Sequence, residues 1–142
     1  MAALRLSEIR QLVSKNNRSN ILSDEFVICQ IWKECGFRPR RNEEGSSAAG
    51  MMQMTKAAIK DVNASLGQHA KHYTEQDMSD NALNIQCGTL YLDIRIKRAG
   101  NDIKAGVNGY GTGNGYVDNI LTCEACLKKA TGGINCLIQI HP

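Results

Sequence analysis

Long apolar runs, alternating strand patterns and proline are scarce in this sequence of 142 residues. No stretch approaches the roughly 18 apolar residues that cross a membrane, so we expect no membrane insertion. The charged N-terminal segment 1–20 also lacks the apolar region of a secretory signal peptide. Alternation of β-branched residues is absent, and the two prolines are Pro39 and Pro142. The sequence therefore predicts a mainly α-helical protein.

Aromatic residues make up only 5% of the chain, and its net charge is a mild +3. A surface that binds nucleic acid usually combines stronger positive charge with interleaved aromatic side chains, so no nucleic-acid partner is expected. The length suits one domain over 1–142, and a hydrophobic fraction of 42% is enough for one core.

Cysteine, by contrast, is abundant. An even number in a small domain predicts disulfides and an oxidising place of work, whereas buried free thiols are the alternative. The sequence does not decide the pairing. Near the C-terminus, Cys123-x-x-Cys126 with Cys136 and His141 is compatible with a zinc site, but a disulfide that ties the last helix to the tail is preferred. The six cysteines are Cys29, Cys35, Cys87, Cys123, Cys126 and Cys136.

Apolar periodicity and capping residues predict six helices. They run from Leu4 to Lys15, from Ser23 or Asp24 to Gly36, from Met52 to Val62, from Asp80 or Asn81 to Ala99, from Asp102 to Val107 and from Tyr116 to Ala130. Segment 63–79 is expected to be irregular, and the long fourth helix to be central in the core. The glycine-rich segment 106–115 lacks the ending of a phosphate-binding loop, so we expect it to shape a cleft instead.

Glu34 is the first candidate for chemistry. It falls in the last turn of the second predicted helix, beside the apolar residues Trp32, Cys35 and Phe37. An apolar setting raises the pKa of a carboxyl group and keeps it protonated near neutrality. A general acid that protonates a glycosidic oxygen needs this property.

Four short motifs follow one another in the chain. They read Glu34-Cys-Gly-Phe-x-Pro39, Gly50-Met-Met-Gln53, Asn84-Ile-x-x-Gly-x-x-Tyr91-Leu92 and Val107-Asn-Gly-x-Gly111. Their order and composition resemble the lytic transglycosylase branch of the lysozyme superfamily, over about 24–120. That family shows E-S-x-F-x-P, G-L-M-Q, N-I-x-x-G-x-x-Y-L and A-Y-N-x-G.

The resemblance implies a lysozyme-like helical domain that cleaves peptidoglycan glycan strands, with no cofactor and no metal. Glu34 matches the single catalytic glutamate. Substrate contacts are expected from the residues that match, or lie beside, the other motifs. They are Gln53 with Met52 as an apolar wall, Asn108, Tyr110 and Tyr91, and packing is the alternative role for the methionine and for Tyr91.

The sequence departs from the family at three positions. Cys35 replaces the serine that follows the glutamate, so this position is expected to serve a disulfide. Glu43 or Glu44 stands where a second serine usually faces the glutamate, and either could activate water or be a solvated loop residue. Val107 replaces the motif tyrosine, for which Tyr110 or Tyr116 could supply a ring. Hydrolysis and anhydro-ring formation, and the identity of the bond that is cut, therefore stay open.

The bare catalytic domain, the missing signal peptide and the cysteines predict an effector toxin. It would resemble the peptidoglycan glycoside hydrolase effectors of the type VI secretion system. Such a protein is secreted without a signal peptide, acts in the periplasm of a target bacterium and has a cognate immunity protein as its partner. A phage lysin and a housekeeping wall enzyme are the alternatives within this class. Outside it stand a non-catalytic glycan-binding module and a zinc-stapled interaction domain.

Overall fold

The computed structural model describes residues 3–40, 47–111 and 115–140, and these form a helical protein. The helices are α1 (Leu6–Asn16), α2 (Asp24–Cys35), α3 (Lys56–Ser65), α4 (Asn81–Arg98), α5 (Ile103–Asn108), α6 (Tyr116–Leu127) and α7 (Ile134–Leu137), with a short 3₁₀ helix at Gln76–Ser79 before α4. The described ranges contain no strand, only one β-bridge between Ala49 and Met54. None of their helices is long and apolar enough to cross a membrane.

The helix ends follow local capping chemistry. The side chains of Ser23, Thr55 and Asp80 each accept a hydrogen bond from a backbone N–H in the first turn of α2, α3 and α4. The prediction that the third helix begins at Met52 is wrong. Gln53 has a φ of 50°, which interrupts any helix there, and Thr55 caps the helix that begins at Lys56.

Two packing groups share one core. Helix α4 contacts α1, α3 and α5, as expected of the central helix, while α2 packs on α1 and, most extensively, on α6. Buried aliphatic and sulfur-containing side chains from all these helices form one apolar cluster. Because Glu34 lies in the last turn of α2, the packing of α2 and α6 decides what surrounds this carboxyl group.

The turn at 49–54 is held against α4 by one buried amide. The Oδ1 atom of Asn84 accepts a hydrogen bond from Met52 N at 2.9 Å, and its Nδ2 donates to the carbonyl oxygens of Ala49 at 2.9 Å and Met78 at 3.0 Å. Gly88, one turn further along α4, has no side chain to collide with Met52, whose sulfur would lie 2.5 Å from an added Cβ. The Asn-Ile-x-x-Gly motif thus sets the position of the Gly-Met-Met-Gln turn.

Candidate active site

Glu34 lies half-buried in the last turn of α2, where Gly36 ends the helix in the left-handed conformation with a φ of 60°. Cys35 and Phe37 beside it are buried, and the Phe37 ring meets the Trp32 ring edge-on at a centroid distance of 5.1 Å. This is the apolar setting that the sequence suggested. Burial raises the pKa of Glu34 above its ordinary value, which favours the protonated, acidic form.

Tyr116 is the direct polar partner of Glu34. It is the first residue of α6, its side chain is buried, and its hydroxyl donates a hydrogen bond to Glu34 Oε2. This bond stabilises the carboxylate and lowers the pKa of Glu34, but by less than burial raises it. Burial and the Glu34 charge in turn raise the pKa of Tyr116, so its phenol stays protonated and remains a donor.

Helices α2 and α6 are joined along their lengths in antiparallel order. Ser23 Oγ donates to Glu124 Oε2 at 2.5 Å, and Cys29 forms a disulfide with Cys123. The Glu34–Tyr116 pair lies at the other end of the same contact. The disulfide therefore fixes the helix that carries the acid against the helix that carries its hydrogen-bond donor.

Gly111, in the glycine-rich segment 106–115, lies against the ring of Tyr116. A Cβ added to Gly111 would lie 1.8 Å from the Tyr116 ring, so only glycine allows the backbone to pass this close. From the sequence we expected the segment to shape a cleft. In the part that the structure describes, Gly109 and Tyr110 of this segment line a pocket, and Gly111 packs on the tyrosine that contacts the acid.

Three of the predicted substrate-binding residues meet at one pocket. Gln53, Tyr91 and Tyr110 line a cavity of about 200 Å³, together with Met54, Thr55, Ala58 and Gly109. The rings of Tyr91 and Tyr110 are 5.8 Å apart, and Tyr110 donates a hydrogen bond to the Met52 carbonyl oxygen at 2.5 Å. Burial, and to a smaller extent the charge of Glu34, raise the pKa of Tyr110.

Gln53 uses its side chain to hold the backbone. Its Nε2 donates to the carbonyl oxygens of Arg40 at 2.7 Å and Gly50 at 2.9 Å, which connects the turn at 49–54 to the segment after α2. Gln53 therefore both lines the pocket and links these two segments of backbone.

The remaining predicted contacts have different surroundings. Met52 is fully buried against Gly88, so its side chain has no exposed surface for a sugar and serves packing, the alternative role. Asn108 is exposed at the end of α5, next to the pocket residue Gly109. Glu43 and Glu44 lie outside the described residues, and their role stays a prediction.

Two residues of the site were not among the predicted ones. Tyr116 was considered only as a substitute ring, and Gln30 was not considered. Gln30 is fully buried within an unbroken run of buried residues, 26–31, in α2. A polar residue four positions before Glu34 in such a run was the available signal, because side chains at i and i+4 share a helix face.

The cysteines form two disulfides, Cys29–Cys123 and Cys126–Cys136. The second ties α6 to the C-terminal segment, as preferred from the sequence.

The zinc alternative is wrong, because three of its four members are in disulfides and have no thiolate to offer. The fourth, His141, lies outside the described residues. The expectation of a disulfide at Cys35 is also wrong: Cys35 and Cys87 are buried thiols, and burial raises the pKa of Cys35 to about 11.

The helical fold, the half-buried Glu34 and the tyrosine-lined pocket are compatible with the lysozyme-like class of enzymes that cleave glycan strands. The family model of the transglycosylase SLT domain matches residues 11–130. The chain belongs to this family of peptidoglycan lytic transglycosylases and is an enzyme that acts on peptidoglycan. No curated protein and no solved structure matches it.

Proposed function

We propose that the protein cleaves the β-1,4 bonds of peptidoglycan glycan strands with Glu34 acting in turn as acid and base. The position of Glu34 carries the proposal. Its carboxyl group is buried enough to hold a proton, yet it has a phenolic donor that stabilises the carboxylate. One residue with both properties can give up a proton and then take one back.

In the first step Glu34 donates its proton to the glycosidic oxygen, and the bond from this oxygen to the anomeric carbon of the muramic acid breaks. In the second step the Glu34 carboxylate removes the proton of the muramic acid 6-hydroxyl, whose oxygen bonds to the anomeric carbon. The products are a free sugar hydroxyl and an anhydro ring, and Glu34 is protonated again. The Tyr116 hydroxyl contacts Glu34 throughout and stabilises the charge that exists between the steps.

Digestion of purified sacculi by the oxidised protein tests this reaction. Mass spectrometry should find released fragments whose muramic acid end is lighter by one water than a reducing end. A reducing end on the muramic acid would show hydrolysis instead and would direct attention to Glu43 and Glu44. A reducing end on the glucosamine would show that the other bond is cut. No release at all would contradict the proposal.

We also propose that the enzyme is an antibacterial effector that acts in the periplasm of a target cell and is neutralised by a cognate immunity protein. Two disulfides suit an oxidising compartment, and the substrate of the family lies in that compartment. The open pocket lined by Gln53, Tyr91 and Tyr110 offers a concave surface that an inhibitor could fill.

Targeted expression tests the effector role. The protein fused to an export signal should lyse an unprotected Gram-negative host, whereas the same protein kept in the cytoplasm should not. Co-export of its cognate immunity protein, sought among small proteins encoded by neighbouring genes, should restore growth. Unimpaired growth with exported protein that digests sacculi after purification would contradict the effector role and leave the enzymatic proposal intact.

A further inference from the structure

Three side chains form one hydrogen-bonded series that ends at the proposed acid. Gln30 Nε2 donates to the Tyr116 hydroxyl oxygen at 3.3 Å, and the Tyr116 hydroxyl donates to Glu34 Oε2. Gln30 and Glu34 lie one turn apart on the same face of α2, and Tyr116 reaches both from α6. Both ends of the series therefore belong to one rigid helix.

The direction of these bonds matters because a phenol has a single proton. An amide N–H that points at the phenolic oxygen occupies one of its lone pairs and cannot accept its proton. The Tyr116 proton is then directed to the carboxyl oxygen. Donation to a hydroxyl also makes that hydroxyl a stronger donor, since consecutive hydrogen bonds polarise one another.

Gln30 lowers the stability of the fold in this position. Its side chain is fully buried, and its Oε1 atom has no hydrogen-bond partner among the described residues. A buried acceptor without a partner destabilises a fold, whereas an apolar side chain of similar length would fill the same space without this penalty. Groups of this kind call for an explanation by function rather than by packing.

We propose that Gln30 is a positioning residue, which directs the Tyr116 hydroxyl to Glu34 and thereby stabilises the carboxylate that the second step of the reaction requires. The proposal rests on Glu34 being the acid and base of the proposed function. Gln30 does not touch the reacting atoms, and it acts through Tyr116. In this proposal a hydrogen bond from Gln30, and not packing alone, orients the Tyr116 hydroxyl.

Titration of the Glu34 carboxyl carbon by NMR tests the proposal without using activity. Four proteins are compared: wild type, Gln30→Met, Tyr116→Phe and the double variant. Gln30→Met should raise the pKa of Glu34, because the freed Tyr116 hydroxyl stabilises the carboxylate less. In the Tyr116→Phe background the same substitution should leave that pKa unchanged. The alkaline limb of the pH–rate profile should move to higher pH in Gln30→Met, with the maximal rate about 3- to 10-fold lower.

Ile31→Val is the matched control, because Ile31 is a fully buried neighbour in α2 that takes no part in the series. It should leave the Glu34 titration and the position of the alkaline limb unchanged. An unchanged Glu34 pKa in Gln30→Met, or an equal rise with and without the Tyr116 hydroxyl, would overturn the proposal. If the wild type cleaves no glycan, the proposed function fails, while the NMR titration still decides whether Gln30 acts on Glu34 through Tyr116. If Gln30→Met does not fold, Gln30→Leu replaces it in the same comparison.

Discussion

Glu34→Gln should reduce the release of fragments from sacculi by about 10²–10⁴-fold or more, the contribution of a general acid–base group. The amide has nearly the shape of the carboxyl group and can still accept the Tyr116 hydrogen bond, but it has no acidic proton to give to the glycosidic oxygen. Initial rates with wild type and variant at equal concentration measure the effect. The wild-type rate should also fall as the pH rises, because Glu34 must be protonated to start the reaction.

The same substitution should not weaken the fold, which separates a chemical role from a structural one. Burial raises the pKa of Glu34, so the folded protein disfavours the ionised form and loses stability as the pH rises from the ordinary glutamate value through the raised one. Glu34→Gln removes this loss. At pH 7 the variant should be as stable as wild type or more stable, by up to about 2 kcal/mol. Below about pH 3, where a glutamate is protonated in both states, the difference should vanish.

Glu75→Gln is the control for this experiment. Glu75 is an exposed glutamate before the 3₁₀ helix, and its side chain makes a long contact with Lys56, at 3.9 Å. Its neutralisation should change neither the rate nor the stability appreciably. A Glu34→Gln enzyme that cleaves at the wild-type rate would show that another group supplies the proton. A variant that loses both activity and stability would point to a structural role.

Glu34 could be proposed from sequence because its evidence is local. The helix end and the adjacent apolar residues occupy six consecutive positions, 32–37, and the motif that matches the family begins at Glu34 itself. Its partner Tyr116 is 82 positions away. Only the packing of α6 on α2 brings the two together, and no pattern within either helix encodes that contact.

The turn at 49–54 shows why a correct motif led to a wrong boundary. Two methionines and the alanines after them have the composition of a helix, so the third helix was expected to begin at Met52. The backbone turns there instead, and the side chain of Asn84, on a distant helix, forms hydrogen bonds with the N–H of Met52 and the carbonyl oxygen of Ala49. The sequence around Met52 does not show this distant hydrogen-bond partner, although Thr55 is a local capping signal for a helix that begins at Lys56.

Removing the Cys29–Cys123 disulfide should destabilise the protein by about 4–5 kcal/mol, and removing Cys126–Cys136 by about 3 kcal/mol or less. The first links residues 94 positions apart and the second residues 10 positions apart. In the chain-entropy account a cross-link restricts the unfolded chain more as the loop it closes grows. Paired substitutions Cys29→Ala with Cys123→Ala, and Cys126→Ala with Cys136→Ala, are compared by denaturant unfolding.

Cys87→Ala controls for the loss of a buried sulfur, because Cys87 is a buried free thiol whose pKa burial raises to about 12. The larger effect at Cys29–Cys123 should extend to activity, since this disulfide holds α2 against α6 and hence Glu34 against Tyr116. Reductant should therefore inactivate the wild type. It should also inactivate the variant without Cys126–Cys136, because that variant keeps Cys29–Cys123. Equal losses from the two paired variants would contradict the loop-length argument. Full activity without Cys29–Cys123, at temperatures where the variant stays folded, would show that packing alone aligns the two helices.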